Sequence, residues 1–290
     1  VITLGGSEVP AVLGLDPYLS PYALGARKLD PSLQPEESEA MRLGLRLQGV
    51  HAELLEEAGW QVMPAPVDGF AHPDLPWLHG RPDGLVALDG QRAPVELKLR
   101  GLAPSESLRQ RDTIQALIYA ELLAADQALV SELHGGYGGF RRDEWTIERD
   151  EELFALVVEH CERFLALLRR GKLPAPDGSD SAREAIRARF AVSDHGSIRL
   201  SKAGWQHVRK CRELDELIGN AKAQREKHAQ SVQDEMGEAE VAISPHDAPA
   251  AKWFQVTSNR LDTKALKAAL PEIAAEFSKT TTTRRFEVNP

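Results

Sequence analysis

Cysteine is scarce: only Cys161 and Cys211 occur in 290 residues, with no C-x-x-C spacing. That scarcity excludes a disulfide framework and the usual structural zinc patterns, and it fits a reducing compartment. Long apolar runs are missing too. None approaches the ~18 residues that a membrane-spanning helix needs. The opening VITLGGSEVPAV has neither the basic start nor the long apolar stretch of a secretory signal, so a cytoplasmic site of action is expected. Internal repeats and low-complexity tracts are also absent.

Positive charge is in deficit as well, with a formal net charge of −9. A passive polyanion-coating protein normally carries a basic footprint, and this chain does not. The deficit is uneven. Residues 201–290 hold 14 Lys and Arg against 13 Asp and Glu, so the negative excess belongs to the first 200 residues. An acidic core remains compatible with a nucleic-acid enzyme whose acids gather a divalent metal.

What is present is a sequence of short alternating elements. Ser7 is placed as a helix N-cap ahead of Val9–Leu13. Helical spacing runs from Glu37 to Gly59, with Met41, Leu45, Leu47, Val50, Leu54 and Leu55 as its apolar stripe. WQVMPAP reads as a strand, and Gly84–Leu88 and Pro94–Leu99 as a hairpin around DGQRA. A helix follows over 104–125, then two strands around GGYGG, then a helix from Glu151 to Arg170. This order predicts an α/β core over residues 1–176. A linker is expected at 177–200, a long amphipathic helix at 201–238 and a small C-terminal module at 239–290.

The hairpin carries the chemistry. Strand alternation puts Glu96 and Lys98 on one face, and Val95, Leu97 and Leu99 on the other. Folding about 89–92 is expected to set Asp83 opposite Lys98 and within reach of Glu96. Two carboxylates and an ammonium then converge. On an exposed hairpin they would make an ordinary salt-bridge cluster worth about 0–1 kcal/mol, and spacing alone does not separate the two readings. Phosphodiester hydrolysis gives each group a purpose. Magnesium takes hard oxygen ligands and is commonly held by one or two carboxylates with water and phosphate. Asp83, Glu96 and the Leu97 carbonyl would supply those ligands, while Lys98 would orient a water or offset charge developing on phosphorus.

D…ELK on a hairpin, between a preceding helix and a following helix and strand, resembles the PD-(D/E)XK nuclease superfamily. Four further stretches are similar to its lambda-type, YqaJ-like viral recombinase (alkaline exonuclease) branch. These are GGSEVPAVLGLDPYLSPYALGARK, AMRLGLRLQGVHAELLEEAG, TIQALIYAELL with its Q-x-x-x-Y spacing, and the tail WFQVTSNRLDTKALKAALPEIAAEFSKTTTTRRFEV. The resemblance implies a restriction-endonuclease-like core with a mixed central sheet, flanking helices and a helical C-terminal extension. It implies Asp83, Glu96 and Lys98 as metal and catalytic residues, and Gln115 holding a water or phosphate oxygen. Tyr119 lies one turn on, and the pair would otherwise be a polar edge on a core helix. Ser7 would bind a terminal phosphate, or serve only as a cap.

The implied cofactor is Mg²⁺, with Mn²⁺ able to substitute. The implied substrate is a double-stranded DNA end, digested 5′ to 3′ in phage- or prophage-type recombination inside a bacterial host. The implied assembly is a homo-oligomer acting with a single-strand annealing protein. Where relatives carry a Glu in the early helix this chain has Gln48, which would ligate a metal only weakly, through water. Two other readings therefore stay open: a RecB-like or structure-specific endonuclease, and a DNA-binding scaffold with weakened catalysis. In the C-terminal third, Lys202, Lys210, Arg284 and Arg285 are expected along the DNA backbone, with a packing or oligomerisation arm as the alternative.

Overall fold

The computed structural model describes residues 2–101, 107–136 and 139–289. The chain divides into two compact units, 1–190 and 191–290.

The first unit is α/β. Its elements are β1 (Leu4–Gly5), α1 (Val9–Val12), α2 (Pro21–Leu29), α3 (Glu39–Glu57), β2 (Val62–Met63), β3 (Phe70–Ala71), β4 (Leu78–Gly80), β5 (Gly84–Leu88), β6 (Gln91–Arg100), α4 (Gln110–Leu123), β7 (Gln127–Gly136), β8 (Gly139–Glu148), α5 (Glu151–Arg169) and α6 (Asp180–Arg189). The central sheet has the order β2-β5-β6-β7-β8. Only the β6–β7 pair is parallel, because α4 carries the chain back between them. A smaller sheet, β1-β4-β3, sits at the N-terminal side. A helix, an antiparallel meander, a crossover helix and a parallel strand are the order expected of a PD-(D/E)XK core.

Hydrophobic burial explains the layers. Leu55 of α3 packs with Val86, Val95, Leu97 and Leu129 on one side of the sheet. Ala116 and Ala120 of α4 pack with Ala128 and Val130 on the other. The largest cluster joins α1, α4 and α5 through Val9, Ile114, Ile118, Cys161, Leu165 and Leu168. Each buried Leu or Val in these clusters is worth about 1.5–3 kcal/mol relative to exposure.

Four expectations need correction. First, α3 is helical as predicted, but its inward face differs. Met41, Leu45 and Val50 are exposed, and the residues turned inward are His51 and Leu55. Second, the hairpin turn is only Asp89-Gly90, both at positive φ, as in the tight turn whose twist matches the strands. Gly84 pairs with Val95, so continuing the register sets Asp83 level with Glu96 rather than Lys98. Third, the span read as linker contains α6. Ser179 caps it by accepting from the Ala182 amide, Ala182 is buried, and the Ser20 amide donates to the Ser181 hydroxyl at 2.8 Å. Fourth, Ser7 caps no helix. It lies in a 3-10 turn, Gly6–Glu8, and α1 has no side-chain cap. The proposed start of the fourth helix at 104 and the centre of the GGYGG turn lie outside the described residues; α4 is described from Gln110.

The second unit is a 35-residue helix, α7 (Lys202–Met236), a hairpin of β9 (Val241–Ile243) and β10 (Pro249–Lys252), and two short helices, α8 (Thr263–Ala269) and α9 (Pro271–Glu276). Ser201 caps α7 by accepting from Gly204. Pro271 opens α9 and separates it from α8, because proline opens a helix but does not continue one. Among the described residues no helix is long and apolar enough to cross a membrane.

Candidate active site

Three elements of the first unit meet at the hairpin. Asp83 stands just ahead of β5, Glu96 and Lys98 lie on β6, and Gln115 and Tyr119 project from α4. Asp83 Oδ2 accepts from the Leu97 amide at 2.8 Å, which fastens one carboxylate to the strand bearing the other. Lys98 Nζ donates to Glu96 Oε2 at 2.6 Å and to Gln115 Oε1 at 3.0 Å. Gln115 Nε2 returns to the same Glu96 oxygen at 2.8 Å. Glu96, Lys98 and Gln115 therefore form a closed triangle, and Glu96 is 3% exposed. This is no exposed salt-bridge cluster.

Electrostatics sharpen the picture. Burial pushes the Glu96 carboxyl up to about 7, with Lys98 opposing and Asp83 reinforcing the shift. Burial also raises Asp83, against the Leu97 amide and Lys98. The Tyr119 phenol is pushed upward, first by burial and then by the Glu96 charge, so it is a neutral donor at neutral pH. Two crowded carboxylates face one ammonium, and Glu96 Oε1 is buried with no hydrogen-bond partner among the described residues. An anionic oxygen left unpaired in a dry site costs several kcal/mol unless a cation or its own proton satisfies it.

The donor set fits a hard divalent cation. Among the described residues no group of three or more His, Cys, Asp or Glu could hold a metal ion, so a cation here would rest on two carboxylates. Magnesium accepts that number, with the remainder from water and phosphate. Soft or borderline metals would need the thiolates and imidazoles that this site lacks.

Gln48 reaches the site from α3 and donates to Asp83 Oδ1 at 2.7 Å. His51, one turn on, is buried; its Nε2 lies 2.9 Å from Ser131 Oγ, and burial depresses it to about 4. It is a neutral packing residue. Ser7 stands within hydrogen-bonding reach of the Tyr119 hydroxyl. The Tyr119 ring is held between two glycines: a Cβ on Gly6 would come within 2.7 Å of it, and one on Gly80 within 2.5 Å. Only glycine admits the ring at either position.

Ser7, Gln48, Leu97 and Lys98 open into a cleft of about 480 Å³, whose other walls include Met41, Leu45, Arg111 and Leu133. Lys202, Lys210, Arg284 and Arg285 belong to the second unit. Lys210 pairs with Glu213 at 3.0 Å and Arg285 with Glu287 at 2.9 Å, all on exposed surface.

Sequence reasoning missed a second buried charge group beside the triangle. Arg100 is gripped by Asp112 of α4 and, at 2.7 Å, by Glu132 of β7. His134 lies 3.4 Å from Asp143 and 3.8 Å from Glu132. The signal was available: β6 continues Glu96, Lys98, Arg100 at period two, and the parallel register sets Lys98 beside Glu132 and Arg100 beside His134. Arg111 was missed as well, although it lies four residues before Gln115 on the same helix.

The fold has the element order of a PD-(D/E)XK core, and the site brings Asp83, Glu96 and Lys98 together at its hairpin. Along nearly its whole length the chain is similar to the uncharacterized protein YqaJ of Bacillus subtilis (strain 168), at 26% identity over 296 residues that cover 98% of this chain and 90% of that one. No protein-family model matches the sequence. Among solved structures, an alkaline exonuclease (LHK-Exo) from Laribacter hongkongensis is similar at a TM-score of 0.45 and 20% identity, over 65% of this chain and 93% of that one. A phage-related exonuclease from Haemophilus somnus 129PT is similar at 0.44 and 12% identity, over 65% and 96%.

Proposed function

We propose that the chain is a metal-dependent DNA nuclease, acting as an exonuclease on double-stranded ends. The observation that carries this reading is the buried, unpartnered Glu96 Oε1 beside Asp83, with Lys98 already bound to the opposite oxygen. Asp83, Glu96 and the Leu97 carbonyl would hold Mg²⁺, or Mn²⁺ in its place. When bound, the ion supplies Lewis-acid polarisation of phosphate and a more acidic water.

The chain's own residues do the rest. Lys98 is tethered at both Glu96 and Gln115, so its ammonium is positioned before substrate arrives and needs no reorganisation. Gln115 bridges Glu96 and Lys98 and fixes the orientation of both. Tyr119 offers a neutral hydroxyl donor, and Ser7 stands beside it at the start of the cleft. The 5′-to-3′ direction, the role in phage-type recombination, the annealing partner and the homo-oligomer rest on the family resemblance. The basic residues of the second unit are proposed as phosphate contacts.

Purified protein incubated with end-labelled linear duplex is expected to release nucleotides only when Mg²⁺ or Mn²⁺ is present. Full activity in chelator, or in Asp83→Ala or Lys98→Ala, would remove the site. Cleavage of closed circular DNA would redirect the reading to an endonuclease. A second reading is favoured by Gln48, which replaces a carboxylate against Asp83: a DNA-binding scaffold with weakened catalysis. Calorimetric titration with Mn²⁺ separates them, since a scaffold binds DNA and shows no metal uptake.

A further inference from the structure

Arg111 is an arginine held only by long contacts, and Asp112 Oδ1, which faces its Nε, has no hydrogen-bond partner among the described residues. The arginine's ion pairs are long, 3.4 Å to Asp16 Oδ2 and 3.5 Å to Asp112 Oδ1. Asp112 gives its other oxygen to Arg100, and Asp16 Oδ1 accepts from the Tyr18 and Leu19 amides. Among the described residues Arg111 Nε is buried and has no hydrogen-bond partner. The side chain is 23% exposed, lines the cleft shared with Ser7, Gln48 and Lys98, and lies 5.9 Å over the Tyr18 ring. A guanidinium in this condition keeps its charge but leaves its planar donor fork under-used, and that fork matches phosphate oxygens best.

Position completes the argument. Arg111 precedes Gln115 by four residues, so it stands about one turn, roughly 6 Å, along α4 from the Glu96–Lys98–Gln115 triangle. A DNA strand advances about 3.4 Å per nucleotide. One helical turn thus corresponds to between one and two nucleotides from the reacting bond. We infer that Arg111 binds a non-bridging oxygen of a phosphodiester adjacent to the scissile one. The inference rests on the nuclease reading for its substrate, and it adds a residue that sets the register of the strand in the cleft.

Neutral-linkage scanning tests it. Duplexes each carrying one methylphosphonate, at one of the first four linkages from either end, are titrated by fluorescence anisotropy without metal. Wild type is expected to lose about tenfold to a hundredfold in affinity at one linkage, the size of a charge-assisted hydrogen bond. Arg111→Gln is expected to lose the same factor on unmodified duplex and nothing more when that linkage is neutral. Arg111→Lys keeps the charge without the fork and is expected to fall between; it stands in if the glutamine variant melts early. Undiminished binding by Arg111→Gln, or a methylphosphonate penalty that survives in it, overturns the inference. The nuclease reading fails separately: wild type that binds duplex but never cleaves it with Mg²⁺ sinks that reading and leaves the Arg111 result standing. Wild type that fails to bind duplex at all sinks both.

Discussion

The two units bury opposite things. In the first, Glu96, Asp112, Gln115, Glu132 and His134 are enclosed, and the apolar residues of α4 and α5 close around them. In the second, α7, α8 and α9 bury no residue, while Leu214, Leu217, Ile218, Trp253 and Phe277 are exposed. Enclosed charge is costly and is retained where it forms a site; exposed apolar surface contributes little to stability. The second unit has local devices instead, such as the Ser201 and Asp262 caps, with the Arg212 bond to the Asn289 carbonyl tying distant parts of it together. The contrast implies that the buried polar site and most of the packing stability reside in the first unit.

The contrast breaks most sharply at the reacting groups. Glu96→Gln is expected to cut Mg²⁺-dependent nucleotide release at least about 100-fold. Lys210→Gln in the second unit is expected to change it less than about tenfold, with the difference shrinking as salt rises. Initial rates on end-labelled duplex measure both, and a Glu96→Gln enzyme at half the wild-type rate would erase the distinction. Stability gives the next largest difference. Leu165→Ala, at a fully buried position, is expected to cost about 2–5 kcal/mol in urea unfolding. Leu217→Ala, at a position 61% exposed, should stay within about 0.5 kcal/mol.

A smaller effect sharpens the account of the site. Gln48→Glu sets a third carboxylate against Asp83 Oδ1, so the metal-free protein is expected to melt earlier. Mn²⁺ affinity by calorimetry is expected to rise about tenfold. Weaker Mn²⁺ binding would show that the amide is the better fit. The smallest effect is chemical. Burial pushes the Cys161 thiol up to about 12, and Cys211 is half-buried. A native thiol titration is expected to count one reactive cysteine, with the second reporting only on unfolding.

Much of the site was legible because its signals are local. Alternation along β6 pairs Glu96 with Lys98, and a four-residue step pairs Gln115 with Tyr119. The register was legible only in part. The turn type is decided by two residues adopting positive φ, and DGQRA left room for a longer loop that would have shifted Asp83 by two positions. The face of α3 was misread for a different reason. Its apolar residues lie around most of the helix, so periodicity placed Met41, Leu45 and Val50 in one stripe with Leu55; Leu55 does reach the sheet core, whereas the polar Gln48 and His51 are the residues spaced to reach Asp83 and Ser131. The pairing of Arg100 with Glu132 was hidden for a third reason. Alternation along β6 marks Arg100, but its partner depends on which strands are neighbours, and the crossover through α4 is what makes β7 adjacent to β6.

The ring of Tyr119 occupies space vacated by two residues more than 70 positions apart in the chain. Those three places are consequently bound into one inheritance: an alanine at either glycine is harmless only after the tyrosine has shrunk, and shrinking it first leaves a void beside Gln115. Lineages descending from this chain should carry the trio unchanged or replace it wholesale.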